Sequence, residues 1–295
     1  MKFCIFTHLF FRPNLFHFEE WLKYHIDFGV DHFYFYESSH ADIPCLQTDT
    51  KREIDIPIVG DIPYKEIYRY YDEIREKYKD YCTFTKWLPK DKNGNYLEHH
   101  QINAYEQATA LNHFYKNYAK KYDRVSTIDC DEFYYSGKHD NIKSFLDKNK
   151  QDILLLGCKF FESVFINVGG LVPQKIKCLD KFSRVGPKYI FNPENTNLKY
   201  KTSPHFPPSK NKTSVNISQE ELCFYHYKVN ENAKISIEHR GKRKMEYTEN
   251  KSMAEKTQYL KDYNFIKKPQ IEESFIDSEQ DILGLDSFKW DEIQN

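Results

Sequence analysis

The chain has 295 residues, 40% of them hydrophobic and 17% aromatic, which is enough for one large core or two modest domains and excludes global disorder. Its formal net charge of −1 gives no electrostatic case for a nucleic-acid partner. The seven cysteines (4, 45, 82, 130, 158, 178, 223) are odd in number and lack a Cys-x-x-Cys pair, so they read as free thiols of a cytoplasmic, reducing compartment, neither a disulfide frame nor a zinc site. Residues 3–11 are apolar but broken by His8 and followed by Arg12 and Pro13, too short and too polar for a signal peptide or a spanning helix.

Phe3–Thr7 is a compact apolar run and predicts a first strand, with His8–Asn14 as the loop after it. A helical period runs through 15–29. Phe18, Trp21, Leu22, His25 and Ile26 share one face, and Glu19, Glu20, Lys23 and Asp27 share the other. Gly29 suits a left-handed cap. His32–Tyr36 predicts a second strand, so the first 36 residues form a βαβ unit and imply a parallel sheet. The acid after the second strand of such a unit often faces a ribose, which makes Glu37 a candidate nucleoside contact; a solvated loop acid is the plainer alternative. Residues 40–63 are proline-punctuated, with one short strand expected at Ile54–Val59. Helices are expected over Tyr64–Tyr81 and 98–121, and a strand over Thr83–Leu88. His99 and His100 read as helix-start residues.

Val125, Thr127 and Ile128 predict a short buried strand, and Asp129 and Asp131 stand at its end. Side chains at i and i+2 of an extended chain point the same way, and two neighbouring carboxylates repel unless a cation sits with them. Hard divalent ions take such oxygen ligands and bind substrate phosphates in their remaining positions. Open α/β sheets bind ligands outside the carboxyl ends of their strands. On spacing alone, a turn-capping Asp129 beside a solvated Asp131 fits equally well.

Three segments carry a resemblance: Glu20-Trp21-Leu22-Lys23-Tyr24-His25, Gly29-Val30-Asp31-His32-Phe33-Tyr34-Phe35-Tyr36, and Asp129-Cys130-Asp131-Glu132-Phe133. In this order they resemble glycosyltransferase family 92 and its family 2-like relatives. Gln101 or Gln107 on the preceding helix, then Lys188-Tyr189-Ile190, His205 and His226-Tyr227, look like further positions of that pattern, which covers about residues 3–230. Two departures are visible. The loop after the first strand lacks the usual Asn-Glu or Asp-Glu pair, and Glu37-Ser38-Ser39 stands where Asn or Asp-Asn is usual. The resemblance implies a GT-A fold: a Rossmann-like, mostly parallel sheet flanked by helices. The nucleotide-sugar half would be about 1–135, the acceptor half about 136–230, and 231–295 a charged helical extension packed on the same domain. It also implies a metal-dependent, inverting hexosyltransferase, galactose or glucose being the expected sugars, using Mn²⁺ or Mg²⁺ and a nucleotide-sugar donor, a UDP-sugar first. The acceptor would be a saccharide or glycolipid in lipopolysaccharide or other surface-glycan assembly. His8, Arg12, Glu37, Asp129 and Lys188 are the donor contacts expected on this basis, with Asp129, Asp131 and His226 (alternatively His205) as metal ligands.

In the second half, Asp152–Cys158 predicts a strand, followed by Phe160-Phe161-Glu162-Ser163. One-step inversion needs a carboxylate to take the acceptor proton, and Glu162 among aromatics is the expected base, with Glu132 in reserve. Lys175–Leu179 predicts a strand. Lys181, Arg184 and Lys188 form a basic cluster suited to a diphosphate, although for Lys181 a solvated loop is the better reading. Residues 192–216 read as a long loop or lid, and Leu222–Tyr227 as a strand. The basic stretch 231–268 is able to touch anionic lipid at the inner face of a membrane, or to form a solvated helix face paired with the acidic 271–295. A metal-dependent nucleotidyltransferase or phosphohydrolase would also want paired acids, but with a Gly-rich or multi-acid phosphate site that the chain lacks. A non-catalytic sugar-binding module is the third reading. Spacing carries no signal for oligomeric state.

Overall fold

The computed structural model describes residues 1–9, 17–37, 64–87, 99–165, 171–175, 177–196, 214–230 and 247–268; within these, 64–68, 99–106, 162–165, 177, 179–187, 228–230 and 247 are described by their backbone alone. The expected strand Ile54–Val59 and the turn at 91–94 lie outside the described residues.

β1 (Phe3–Leu9) is buried along its whole length, as a continuous apolar run in a parallel sheet requires when both faces are covered. α1 (Phe18–Asp27) follows, and Gly29 turns the chain at φ +97° as the left-handed cap expected of it. β2 (His32–Glu37) then pairs parallel to β1, from Cys4 with His32 to Leu9 with Glu37. His8 therefore lies in the strand and not in a loop, because its pairing with Tyr36 continues the ladder past the apolar run. α2 (Tyr64–Lys77) leads to β3 (Cys82–Lys86) on the far side of β2. α3 (His99–Asn117) and a 3₁₀ turn at Ala119–Lys121 lead to β4 (Arg124–Thr127), which pairs parallel to the free edge of β1. The parallel order is thus β3-β2-β1-β4. Phe3, Ile5, Phe33 and Phe35 face α1 and α2, while Cys4, Phe6, Tyr34 and Tyr36 face α3. The result is a three-layer, Rossmann-like α/β arrangement consistent with the GT-A-like fold expected.

The remaining strands are β5 (Glu132–Tyr135), β6 (Ile153–Phe165), β7 (Lys177–Phe191), β8 (Ser214–Asn216), β9 (Cys223–Asn230) and β10 (Tyr247–Glu249). The sheet continues past β4 in the order β7-β6-β9-β5, with β8 on β6 and β10 on β7. In a flat sheet the four steps from β4 to β5 would span roughly 19 Å at about 4.8 Å each. Only residues 128–131 join these two strands, and they are folded into a turn by Glu132 N donating to Asp129 O at 3.0 Å. The sheet must therefore curl, and the acid turn is the bridge across the curl. Lys181, Arg184 and Lys188 all lie in the 15-residue β7, which is far longer than the strand expected at Lys175–Leu179 because it pairs with both β4 and β6.

The first turn of the polar face of α1 is buried, whereas Lys23 and Asp27 further along it reach solvent. Glu19 and Glu20 are buried under the C-terminal segment. Glu19 accepts from Lys77 Nζ (2.7 Å), Tyr78 OH (3.1 Å) and Ile266 N (2.7 Å); Glu20 accepts from Lys268 Nζ (2.7 Å) and Val172 N (2.9 Å). Two lysines and two backbone amides thus make the burial of two acids tolerable. The described part of the extension contributes β10, the short helix α5 (Ser252–Lys256) and a 3₁₀ turn at Gln258–Asp262. Between β5 and β6, α4 (Ile142–Lys148) is capped by Asn141, whose Oδ1 accepts from Lys143 N at 2.8 Å.

A Cβ placed on Gly29 would run into the Asn141 side chain, on top of the left-handed backbone cost. Gly29→Ala is expected to lower stability by about 1–3 kcal/mol. A urea midpoint equal to that of the parent would refute this account of the α1–α4 contact.

Candidate active site at the acid turn

The turn after β4 is pinned by its carbonyls. Ile128 O accepts from Thr7 Oγ1 (2.9 Å), Asp129 O from Glu132 N (3.0 Å), and Cys130 O lies 3.0 Å from His17 Nε2. Asp131 O accepts from Tyr227 N (2.8 Å), and Glu132 O from the Trp21 indole (2.7 Å). Five successive carbonyls are thus satisfied by β1, the turn itself, the start of α1, β9 and the body of α1. The sequence reason lies in α1: His17, Trp21, Tyr24 and His25 recur at helical spacing and face β5. Tyr24 OH donates to Tyr134 O at 2.6 Å, and Tyr134 N approaches His25 Nε2 at 3.3 Å. Burial holds His25 neutral, with its pKa down to about 3, which lets Nδ1–H donate to Trp21 O and leaves Nε2 to accept.

The side chains of the turn meet two cations. Lys188, on β7 and 1% exposed, puts Nζ 2.8 Å from Asp129 Oδ2 and 3.1 Å from Glu132 Oε2. Glu132 Oε2 also accepts from Asp129 N at 2.8 Å. His226, on β9 directly across from Glu132, places Nε2 3.2 Å from Asp131 Oδ2 and Nδ1 3.9 Å from Glu132 Oε1. The Phe160 ring lies 5.3 Å from that of His226. The Asp129 side chain is 42% exposed and that of Asp131 26%, while Glu132 beneath them is 3% exposed.

The electrostatics follow from this layering. Burial acts against the Lys188 charge, but Asp129 and Glu132 outweigh it and hold the ammonium protonated. Burial pushes Glu132 up to about 7 against the pull of Lys188. The two partners move differently because Lys188 has two carboxylates while Glu132 shares one ammonium with Asp129. Burial also opposes charge on His226, and Asp131, a bond to Cys158 and Glu132 reverse that, raising its pKa well above the ordinary value. Burial would raise Asp131, and His226, His17 and Lys188 bring it below the usual carboxylate range.

Among the described residues, no group of three or more His, Cys, Asp and Glu is arranged to hold a metal ion. Asp131 and His226 are the residues that could hold an Mg²⁺ or Mn²⁺ ion here, with His226 giving up the proton it shares with Asp131. Such ions keep waters and commonly take only one or two protein ligands plus substrate phosphates. Asp131 Oδ2 and His226 Nε2 are 3.2 Å apart, an ion pair that an incoming cation would replace. Asp129 Oδ2 is committed to Lys188, so Asp129 offers chiefly its other oxygen to solvent.

The other expected residues are distributed as follows. His8 is buried near Asp129; burial lowers its pKa to about 4, with the Asp129 charge opposing, so it is neutral. Glu37 lies at the end of β2, with its carboxylate taken by Arg75 at 2.6 Å. Lys188 is not an exposed phosphate clamp: it lies under the acids. Glu162 is a backbone position of β6, and its side chain, like those of Lys181, Arg184 and Gln101, lies outside what the structure describes; Arg12 and His205 lie outside the described residues. His17 was not found from the sequence, because its partner Cys130 is 113 residues away and no local pattern marks the contact. The described cysteines are free and buried.

No family model matches this chain, and no curated protein sequence matches it. Solved structures do. The chain is similar to TarS 1–349 from S. aureus, at 14% identity over 77% of this chain and 60% of that one, with a TM-score of 0.37. It is similar to HddC from Yersinia pseudotuberculosis, at 12% identity over 81% of this chain and 100% of that one, with a TM-score of 0.39. It is also similar to the mannosyltransferase Ktr4p from S. cerevisiae, at 13% identity over 55% and 40% of the two chains, with a TM-score of 0.28. All three are distant likenesses, and the chain spans about 60% of TarS 1–349.

Lys188→Met would leave buried Glu132 without its ammonium and is expected to cost about 3–5 kcal/mol in denaturant unfolding; a loss below ~1 kcal/mol would contradict the pairing. Glu37 generates a pH prediction. Burial raises its pKa from 4.5 to about 7, against Arg75, so the folded chain binds the extra proton in that window. This contribution to stability is present below about pH 4.5 and is lost as pH rises through 7. Glu37→Gln should flatten that fall, measured as unfolding midpoint against pH.

Proposed function

We propose that the chain is a glycosyltransferase that moves a hexose, galactose or glucose first, from a nucleoside-diphosphate sugar, UDP-sugar first, to a saccharide hydroxyl, with inversion and with Mn²⁺ or Mg²⁺. One observation carries this reading: Asp131 and His226 converge, on a turn pinned at every carbonyl, outside the carboxyl ends of β1 and β4 where the strand order reverses. Parallel α/β sheets bind nucleotides at that crevice.

The residues divide the work by position. Asp131 and His226 would hold the cation, and Asp129 would present its free oxygen to the donor. A divalent ion, when bound, supplies positive charge to a leaving diphosphate. Lys188 bonds Asp129 and Glu132 from beneath and holds them in place without itself facing solvent. His8, neutral beside Asp129, is suited to donate or accept one hydrogen bond at the donor end of β1. Glu162, two residues beyond Phe160 on β6, is the proposed base for the acceptor hydroxyl. The acceptor is proposed to be a saccharide or glycolipid of a surface glycan or lipopolysaccharide, assembled in the cytoplasm or at the inner face of a membrane. Among the described residues no helix is long and apolar enough to cross a membrane.

A ligand that binds only the folded chain raises its unfolding midpoint by mass action. UDP with Mn²⁺ is expected to raise the thermal midpoint, and UDP with EDTA to leave it near that of the free protein. Asp131→Asn should abolish the shift and lower kcat on a nucleotide-sugar panel by at least about 100-fold. If no nucleoside diphosphate or nucleotide sugar shifts the parent chain with Mn²⁺ or Mg²⁺, and none is turned over, the assignment fails.

A further inference from the structure

Glu132 is the residue in the acid turn whose environment differs most from its neighbours. It follows Asp131 directly, yet only 3% of its side chain is exposed. Its carboxylate faces the Asp129 amide and both cationic side chains of the site. Oε2 accepts from the Asp129 amide at 2.8 Å and faces Lys188 Nζ at 3.1 Å, and Oε1 lies 3.9 Å from His226 Nδ1. Its backbone closes the turn onto Asp129 O and is itself held by Trp21. Lys188 completes a ring, because the same ammonium bonds Asp129 Oδ2 at 2.8 Å.

We propose that Glu132 is a positioning residue for donor and cation binding: from beneath the turn it fixes the Asp129 backbone, the Lys188 ammonium and the His226 ring, so that Asp131 and His226 meet at one point and Asp129 keeps one oxygen free. The inference rests on the glycosyl-transfer reading and goes beyond it, since it assigns Glu132 to the donor side of the reaction and removes it from the acceptor side. Geometry decides between these roles. A base must reach the acceptor hydroxyl within hydrogen-bond distance, directly or through one water. Glu132 has one oxygen engaged by an amide and an ammonium and the other turned to His226, under a roof made by the two aspartates. A partner that orients ligands from behind them typically changes metal affinity 10–100-fold when it is removed.

The test compares Glu132→Ala and Glu132→Gln with the parent chain. Half-saturation by Mn²⁺ at fixed UDP, and by UDP at fixed Mn²⁺, is read by calorimetry, and turnover is followed separately. Glu132→Ala is expected to raise both half-saturation values by about 10–100-fold while the chain stays folded by circular dichroism. Glu132→Gln retains an oxygen for the Asp129 amide and for Lys188, so it should recover part of that loss. A collapse of kcat in Glu132→Gln with unchanged half-saturation would mark Glu132 as a base and overturn the proposal. Unchanged half-saturation in a folded Glu132→Ala overturns it as well. If the alanine variant does not fold, the glutamine variant decides: values equal to those of the parent reject the proposal, and raised values support it. A parent chain that binds neither ligand removes the functional reading and this inference together, whereas a parent that binds with indifferent variants removes the inference alone.

Discussion

One buried ammonium governs the geometry of the site. Lys188 bonds Asp129 at 2.8 Å and Glu132 at 3.1 Å, and it is almost wholly removed from water. Without it, three acids within four residues would sit together at the end of a strand, and their repulsion would have to be relieved by protonation or by opening of the turn. With it, Asp129 and Glu132 share one counter-charge from below. Asp131 is left to His226 at 3.2 Å, on the more exposed side of the turn. The carbonyl bonds from Thr7, His17, Tyr227 and Trp21 then hold the backbone that carries these charges.

Topology explains why such distant residues meet there. β4 and β5 are joined by four residues but stand at different places in the sheet order, which forces the sheet to curl over the turn. β7 pairs with β4 directly and supplies Lys188, and the curl brings β9 with His226 round to the carboxyl end of β4. A flat sheet with the same strands would keep His226 beside Asp131, because β9 pairs with β5, but would hold both apart from β4 and from Lys188 on β7. The gathering of these charges is thus a consequence of a short connection.

α1 ties the site to the end of the described chain. Its inner face, through His17, Trp21, Tyr24 and His25, grips the backbone of the acid turn and β5. Its outer face, through Glu19 and Glu20, grips the segment that ends at Lys268. A single helix therefore couples the C-terminal strap to the turn, and both of its faces are buried by polar contacts that satisfy one another.

Much of the frame was legible in the chain itself. The apolar run at Phe3, the helical period from Phe18 and the second run at His32 define a βαβ unit, because periods of 2 and 3.6 are written locally and need no distant partner. Asp129 and Asp131 at a strand end were legible for the same reason. Tertiary structure alone decided what surrounds them. Glu19 and Glu20 read only as the polar side of a helix, and a segment nearly 250 residues away covers them. Lys188 read as a phosphate clamp and is instead an internal counter-ion, because β7 carries it beneath the turn. His17 carries no local signal, since its partner is set by the docking of α1 and not by spacing. The backbone's own periodicity thus determined the elements and the acid pair. The pairing of charges was decided by a curled sheet, because ionisation and burial depend on neighbours that only the folded chain brings together.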